Sequence, residues 1–140
     1  MFINNYLLYP LLFSVILVSG GFNSDAWKSV EVLYTNGTSY CTLPDIPGDR
    51  YGHTQDGLTA CGGDDAGMED NCVTLSNGQW TQSHTLLYDR RDHTSWALGD
   101  GRVVLMGGFY SGSETTTEII SSDSATTTEG FTLKYETRYN

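Results

Sequence analysis

Apolar and polar positions alternate in short runs along this chain, and the runs come in sets. Three apolar runs end on a Gly-Gly pair: VILVSGG at Gly20-Gly21, LTACGG at Gly62-Gly63 and VVLMGG at Gly107-Gly108. The pairs stand 42 and 45 residues apart. Eleven residues after the first glycine of each pair lies the middle of a second run: Glu31 in SVEVL, Val73 in NCVTL and Glu118 in TTEII. Short alternating runs bounded by Gly, Pro, Asn and Asp predict β-strands. A strand-made period of roughly 40–50 residues predicts a propeller or a solenoid.

The runs give a strand list. Ser29–Tyr34 and Ser39–Leu43 flank a Thr35-Asn36-Gly37-Thr38 turn, and Phe22–Lys28 before them reads as a loop. The middle unit carries Gly52–Gln55, Leu58–Cys61, Cys72–Leu75 and Gln79–Leu86, with Asn77-Gly78 closing its last hairpin. The next has His93–Leu98, Arg102–Met106, Thr116–Ser121 and Phe131–Tyr135, with a hairpin at Asp100-Gly101 and a long polar loop over Ser121–Gly130. Asn-Gly and Asp-Gly accept the positive φ angles of tight turns. DRYGHTQ and DRRDHTS open these two units 40 residues apart, and Tyr135-Glu136-Thr137-Arg138 echoes Leu87-Tyr88-Asp89-Arg90, so Arg138 would begin another unit. The expected divisions are a leader over 1–14, a partial unit over 15–47 and complete units over 48–88 and 89–138. Three such units are few for a closed propeller, which takes about 4–8 blades, so the remaining blades are expected from a longer chain or an assembly.

Residues 1–20 admit two readings. The apolar stretch ending at Val18-Ser19-Gly20 is signal-like, yet VILVSGG is also the first copy of the repeated strand. The stretch is too short and interrupted for a stable membrane span, which needs about 20 apolar residues.

Composition narrows the partners. The formal net charge is −10 and the pI about 4.4. No basic patch exists for nucleic acid or for an anionic membrane surface. Three cysteines cannot all pair within one chain. Cys61 and Cys72 flank one loop and are either a disulfide or two buried thiols; Cys41 has no partner in this scheme. Asn36 lies in an N-x-Ser/Thr sequon, read either as a plain turn or, in a secreted protein, as a glycosylation site.

Candidate chemistry is sparse. His53, His84 and His93 have no metal-ligand spacing, and His53 and His93 hold equivalent repeat positions, which favours structural hydrogen bonds to backbone groups between units. Asp64, Asp65, Glu69 and Asp70 form an acidic loop without the order of a calcium loop; it would serve as a solvated rim or meet a basic partner. No nucleophile elbow, phosphate loop or cofactor motif is present. The connections after the Gly-Gly pairs, Phe22–Lys28, Asp64–Asp70 and Phe109–Glu114, are expected on one face, with Trp27, Asp64, Asp65, Asp70 and Tyr110 as binding candidates.

Together the Gly-Gly pairs, Glu31 and Glu118, the aromatics Tyr40, Trp80 and Phe131, and the Arg-x-x-His openings Arg50/His53 and Arg90/His93 resemble the Kelch repeat over about residues 15–138. Val73 departs from it, standing where the other units have Glu. The resemblance implies an all-β fold, a partial Kelch-type β-propeller of about two and a half four-stranded antiparallel blades, with large aromatics such as Trp80 sealing one sheet against the next. It implies a non-catalytic scaffold that binds a protein or ligand and needs no cofactor, of the kind found in secreted invertebrate Kelch-type proteins. The alternatives are an extracellular structural glycoprotein and, further off, a fragment of a galactose-oxidase-like enzyme. The copper chemistry of that enzyme needs a Tyr–Cys cofactor and two histidine ligands, whose motifs do not transfer to this chain. Gly62 is expected to tolerate no side chain, because inner strands crowd one another where a residue without Cβ can approach closely.

Overall fold

The computed structural model describes residues 15–23, 25–34, 40–64, 67, 69–109, 115–121 and 123–137. The described residues are all β, with strands β1 Val15–Ser19, β2 Phe22–Asn23, β3 Asp25–Ala26, β4 Val30–Tyr34, β5 Tyr40–Leu43, β6 Thr54–Asp56, β7 Thr59–Cys61, β8 Asn71–Ser76, β9 Gln79–Thr85, β10 Thr94–Ala97, β11 Val103–Met106, β12 Thr117–Ile120 and β13 Thr128–Glu129. Sheet I has the order β1-β4-β5, sheet II β6-β7-β8-β9 and sheet III β10-β11-β12-β13, every pairing antiparallel. β2 and β3 form a two-stranded ribbon, where the sequence predicts a loop.

The repeat is exact in register. Val18 faces Glu31, Ala60 faces Val73 and Leu105 faces Glu118. Those residues lie two before each Gly-Gly pair and eleven after its first glycine, so the sequence period and the strand pairing express one geometry.

Alternation along each strand sends successive side chains to opposite faces, and the sheets stack through them. Between sheets I and II, Val30, Ile46, Ala60 and Val73 are buried, with Leu17, Leu43 and Trp80 packed beside them. Between sheets II and III the core is Cys61, Cys72, Leu86, Leu105 and Ile120, with Val103 against it. Sheet II contributes to both layers. Trp80 also fixes the first junction with its indole N–H, which donates to the Pro44 carbonyl at 2.8 Å. Cys61 and Cys72 are directly opposite across β7 and β8 and form a disulfide. Cys41 is a free, exposed thiol.

Three expectations need correction. The last strand of sheet III is Thr128–Glu129 and not Phe131–Tyr135. Phe131 is 58% exposed and does not seal a sheet as Trp80 does. The reason lies in the second departure: the polar segment before β13 is not a free loop. Ala125 accepts from the Thr85 N–H at 3.0 Å, and Thr127 donates back to the Thr85 carbonyl at 3.2 Å. This parallel bridge ties sheet III to the end of β9 and brings the chain into the β12 ladder early. The third concerns the register at the C-terminal end. Thr137, not Arg138, takes the place of Arg50 and Arg90, since Gly108 N–H donates to the Thr137 carbonyl as Gly21 does to Arg50 and Gly63 to Arg90. Residues 1–14, the Asn36-Gly37 turn with its sequon, Asp65, Tyr110 and Arg138 lie outside the described residues.

Candidate functional site

The Gly-Gly pairs and the Arg-x-x-His openings are two halves of one junction. The second glycine of each pair donates its N–H to the opening of the following unit, at 2.8 Å for Gly21 to Arg50 and 2.9 Å for Gly63 to Arg90. Gly62 has φ +64°, and a Cβ there would overlap the Arg90 carbonyl and stand 2.9 Å from the His93 ring. A side chain at Gly62 is therefore excluded by both conformation and space.

The arginines then turn back into their own sheet. Arg50 is buried; its Nη1 donates to the Gly62 carbonyl at 3.0 Å and its Nη2 to Asn71 Oδ1 at 2.8 Å. Arg90 is fully buried and donates to the Gly107 carbonyl at 2.6 Å and to Glu118 Oε1 at 2.7 Å, so that it forms an ion pair with an equally buried carboxylate. Glu118 also accepts from the backbone N–H of Leu87 and Tyr88 and from the Thr127 hydroxyl. In sheet II Val73 stands where Glu118 does, and Arg50 uses Asn71 and the more distant Glu69, 3.7 Å away.

The histidines also bind across units, to side-chain hydroxyls and not to the backbone groups expected. His53 Nε2 meets Ser19 Oγ at 2.9 Å, and His93 Nε2 meets Thr54 Oγ1 at 2.8 Å. Burial, and then the neighbouring Arg50 charge, lowers the His53 pKa to about 4. Burial, then Arg90 and His53, lowers that of His93 to about 3. Both rings are neutral at physiological pH, and both line a cleft of about 550 Å³ with Gly52, Asp92, Met106 and Leu133.

This junction presents side chains on one face. The residue after each Gly-Gly pair (Phe22, Asp64, Phe109) meets the residue after each buried arginine (Tyr51, Arg91). Tyr51 bridges to Asp64 and Arg91 to Phe109 through the backbone. The Phe22 and Tyr51 rings lie 5.0 Å apart. The Arg91 guanidinium stands 5.3 Å from the Tyr51 ring centroid and 5.0 Å from that of Phe109, within cation–π range. Asp64 Oδ2 accepts from Arg91 at 2.6 Å and from the Tyr51 hydroxyl at 3.1 Å. Trp27 adjoins this row through its bridge to Arg50.

Of the sequence candidates, Trp27 is 49% exposed on this face. Asp64 is there too, but as the clamp on Arg91 and Tyr51 and not as a free acidic ligand. Asp70 is exposed, and its carbonyl accepts from the Leu86 N–H. Phe22, at 65% exposure, and Phe109, Tyr51 and Arg91 stand on this face although none is an individual candidate in the sequence. The signal available for them was position: each follows directly on a repeat motif.

Among the described residues no three His, Cys, Asp or Glu side chains converge as a metal-ligand set. Cys61 is bonded to Cys72 and is not a free thiolate, and His53 and His93 hold their hydroxyl contacts through Nε2. No described helix is long and apolar enough to cross a membrane.

No family model and no curated protein matches the sequence. Among solved structures, the chain is similar to one described as a novel fungal alcohol oxidase with catalytic diversity among the AA5 family, in complex with copper. The TM-score is 0.59 at 17% identity, over 79% of this chain and 28% of that one. At that identity the likeness is one of fold, and this chain spans little more than a quarter of that oxidase.

Proposed function

We propose that the chain is a segment of a Kelch-type β-propeller and acts as a non-catalytic protein-interaction scaffold. Residues 15–47, 48–88 and 89–138 are successive blades, and the row Phe22, Trp27, Tyr51, Asp64, Arg91, Phe109 is the binding face. The observation that carries the reading is this row. Three units contribute one residue after each Gly-Gly pair, and the internal pairing of Asp64 with Arg91 leaves aromatic surface, not free charge, facing outward. Aromatic residues and arginine dominate interface hot spots. The shared register of Val18–Glu31, Ala60–Val73 and Leu105–Glu118 supports the blade assignment, as does the fold likeness to the oxidase.

The test places a photo-crosslinking residue at Trp27 or Phe109, with Gly57 and Gly78 as controls on hairpins away from this row. A partner labelled from Trp27 and Phe109 alone is then titrated against Phe22→Ala, Trp27→Ala and Phe109→Ala. Affinity is expected to fall at least about 30-fold for one of them, as hot-spot truncation does. Labelling from the control hairpins only would remove this face from the reading.

The Cys61–Cys72 disulfide favours one further statement, that the protein works outside the cell, since such bonds persist in oxidising compartments. A mass spectrum of the native protein with and without reduction is expected to show a two-hydrogen difference, and a sugar on Asn36 would extend the reading to an extracellular glycoprotein. An oxidase reading predicts stoichiometric copper after dialysis, measured by elemental analysis; none is expected.

A further inference from the structure

We propose that the layer between sheets II and III holds a binding pocket for a primary alkylammonium, whose chain lies between the sheets and whose charged head meets Asp56. Both walls of the pocket belong to described sheets, and it lies away from the aromatic row, so it is a site separate from the interaction face.

The chain builds the same layer twice, and the two versions differ. In sheet I, Leu17 faces Val32 and Leu43 faces Val30. Leu17, Val30 and Leu43 pack toward sheet II, with Trp80 beside them. In sheet II the same register positions hold Thr59 facing Thr74 and His84 facing Cys72. Sheet III sends no indole back into this second layer, and Phe131, the aromatic expected to do so, is exposed. Two leucines are thus exchanged for a threonine and a histidine, and a pocket of about 220 Å³ lies where they stand.

The exchanged residues are satisfied without a ligand. Thr59 Oγ1 and Thr74 Oγ1 share a hydrogen bond of 2.8 Å, and His84 meets Ser83 Oγ through Nδ1 and the Ser121 carbonyl through Nε2. What is left over is Asp56. It lies directly opposite Thr59, at the exposed end of the pocket, and its carboxylate has no hydrogen bond or ion pair among the described residues. Ser95 lines the same pocket from sheet III. The deeper walls, Cys61, Leu105 and Ile120, are buried and apolar, and Cys61 offers no thiol because it is bonded to Cys72.

These walls define the ligand. The volume falls below the roughly 300–1,000 Å³ that enclose a whole drug-sized molecule, so it suits one narrow chain. Apolar walls favour methylene groups. A single unpaired carboxylate selects a cation, and a compact ammonium with three donors suits one carboxylate and one hydroxyl better than a planar guanidinium, which asks for a bidentate partner. The net charge of −10 draws cations to the chain in general.

The experiment titrates n-butylammonium chloride into the isotope-labelled full chain at neutral pH and follows the amide shifts of Cys61, Ser95 and Ile120. Saturable shifts are expected, with a Kd on the order of 1 mM. Butanol and butyrate, which keep the chain and lack the cation, are expected to bind at least about 5-fold more weakly, and Asp56→Asn is expected to weaken butylammonium by about as much. Thr59→Leu combined with Thr74→Val writes the sheet I pair into sheet II; it is expected to fill the pocket and abolish the shifts, with the unfolding midpoint unchanged or raised. A blocked lysine that binds as tightly as butylammonium assigns the site to a lysine side chain of a partner, whereas binding of butylammonium alone assigns it to a free amine. The absence of saturable shifts overturns the proposal. So does equal affinity for butanol, equal affinity in Asp56→Asn, or undiminished binding in the folded double variant. If the double variant does not fold, Asp56→Asn and the butanol comparison decide. Labelling from Trp27 and Phe109 is independent of all these outcomes, so the scaffold reading stands or falls separately.

Discussion

His53 and His93 show what the repeat demands of single residues. Each is held neutral by burial beside an arginine and bonded to a hydroxyl of the preceding unit. Their folded pKa values of about 4 and about 3 lie below the unfolded value of 6.5, so the unfolded chain takes up protons first. Stability is therefore full above about pH 6.5 and falls with decreasing pH, down to about 4 for His53 and about 3 for His93. Each ring contributes roughly 1.4 kcal/mol per pH unit inside its window. Urea midpoints measured between pH 7 and 5, above most carboxylate titration, are expected to fall with pH, and His93→Gln is expected to flatten the slope by about half. Glycine supplies the second residue-scale test. Gly62 and Gly57 both have positive φ, but an added Cβ meets the Arg90 carbonyl at Gly62 and open space at Gly57. Gly57→Ala is expected to cost about 1–2 kcal/mol from conformation alone, and Gly62→Ala several kcal/mol, with the difference in urea midpoints reporting the crowding. The importance of Gly62 and of the Arg-x-x-His openings was legible from repetition. That the glycine makes room for the next unit's histidine was not, because the two are 31 positions apart in sequence and meet only through stacking.

At the scale of elements, strands were legible wherever turn residues and alternation agreed. β4, β7, β8, β9 and β11 fall within a residue or two of the runs that predict them. β13 was missed because its position is set by a partner and not by its own pattern. Thr128–Glu129 has little apolar character; it pairs because Ala125 and Thr127 have docked on Thr85 of the neighbouring sheet. Hydrogen exchange by NMR is expected to show Thr85 and Thr127 amides protected, and Thr127→Pro is expected to release both while leaving β7 and β8 protected. Exchange of Thr127 at the rate of a free loop would remove this staple. The pair Arg90–Glu118 is a second device of this scale, linking the entry of sheet III to its third strand with neither charge reaching solvent. Glu118→Gln leaves a buried guanidinium uncompensated and is expected to cost about 3–5 kcal/mol in chemical denaturation. Glu69→Gln, a longer and partly exposed contact to Arg50, is expected to cost under about 1 kcal/mol.

For the whole molecule, stability is shared unequally because sheet II belongs to both cores. Stacked repeats behave approximately as a sum of unit and nearest-neighbour terms. Leu17→Ala is expected to raise exchange across sheet I only, whereas reduction of Cys61–Cys72 is expected to loosen sheets II and III together, since both sulfurs sit in the layer between them. The same exchange experiment run with and without reductant checks this, and uniform loosening by either change would mean that the three sheets unfold as one unit.

The sequence by itself determined the all-β class, the period, the glycine junctions and the charge balance that argues against a nucleic-acid partner. Those are local or periodic properties, written in which residues alternate and how often they recur. Only the tertiary structure decided that Cys61 bonds Cys72, that Thr137 and not Arg138 continues the junction, and that Phe22, Tyr51, Arg91 and Phe109 form one row with Asp64 clamping its centre. These depend on which residues of different units come within a few ångströms of one another. Inter-sheet packing sets that, and no single stretch of chain encodes it.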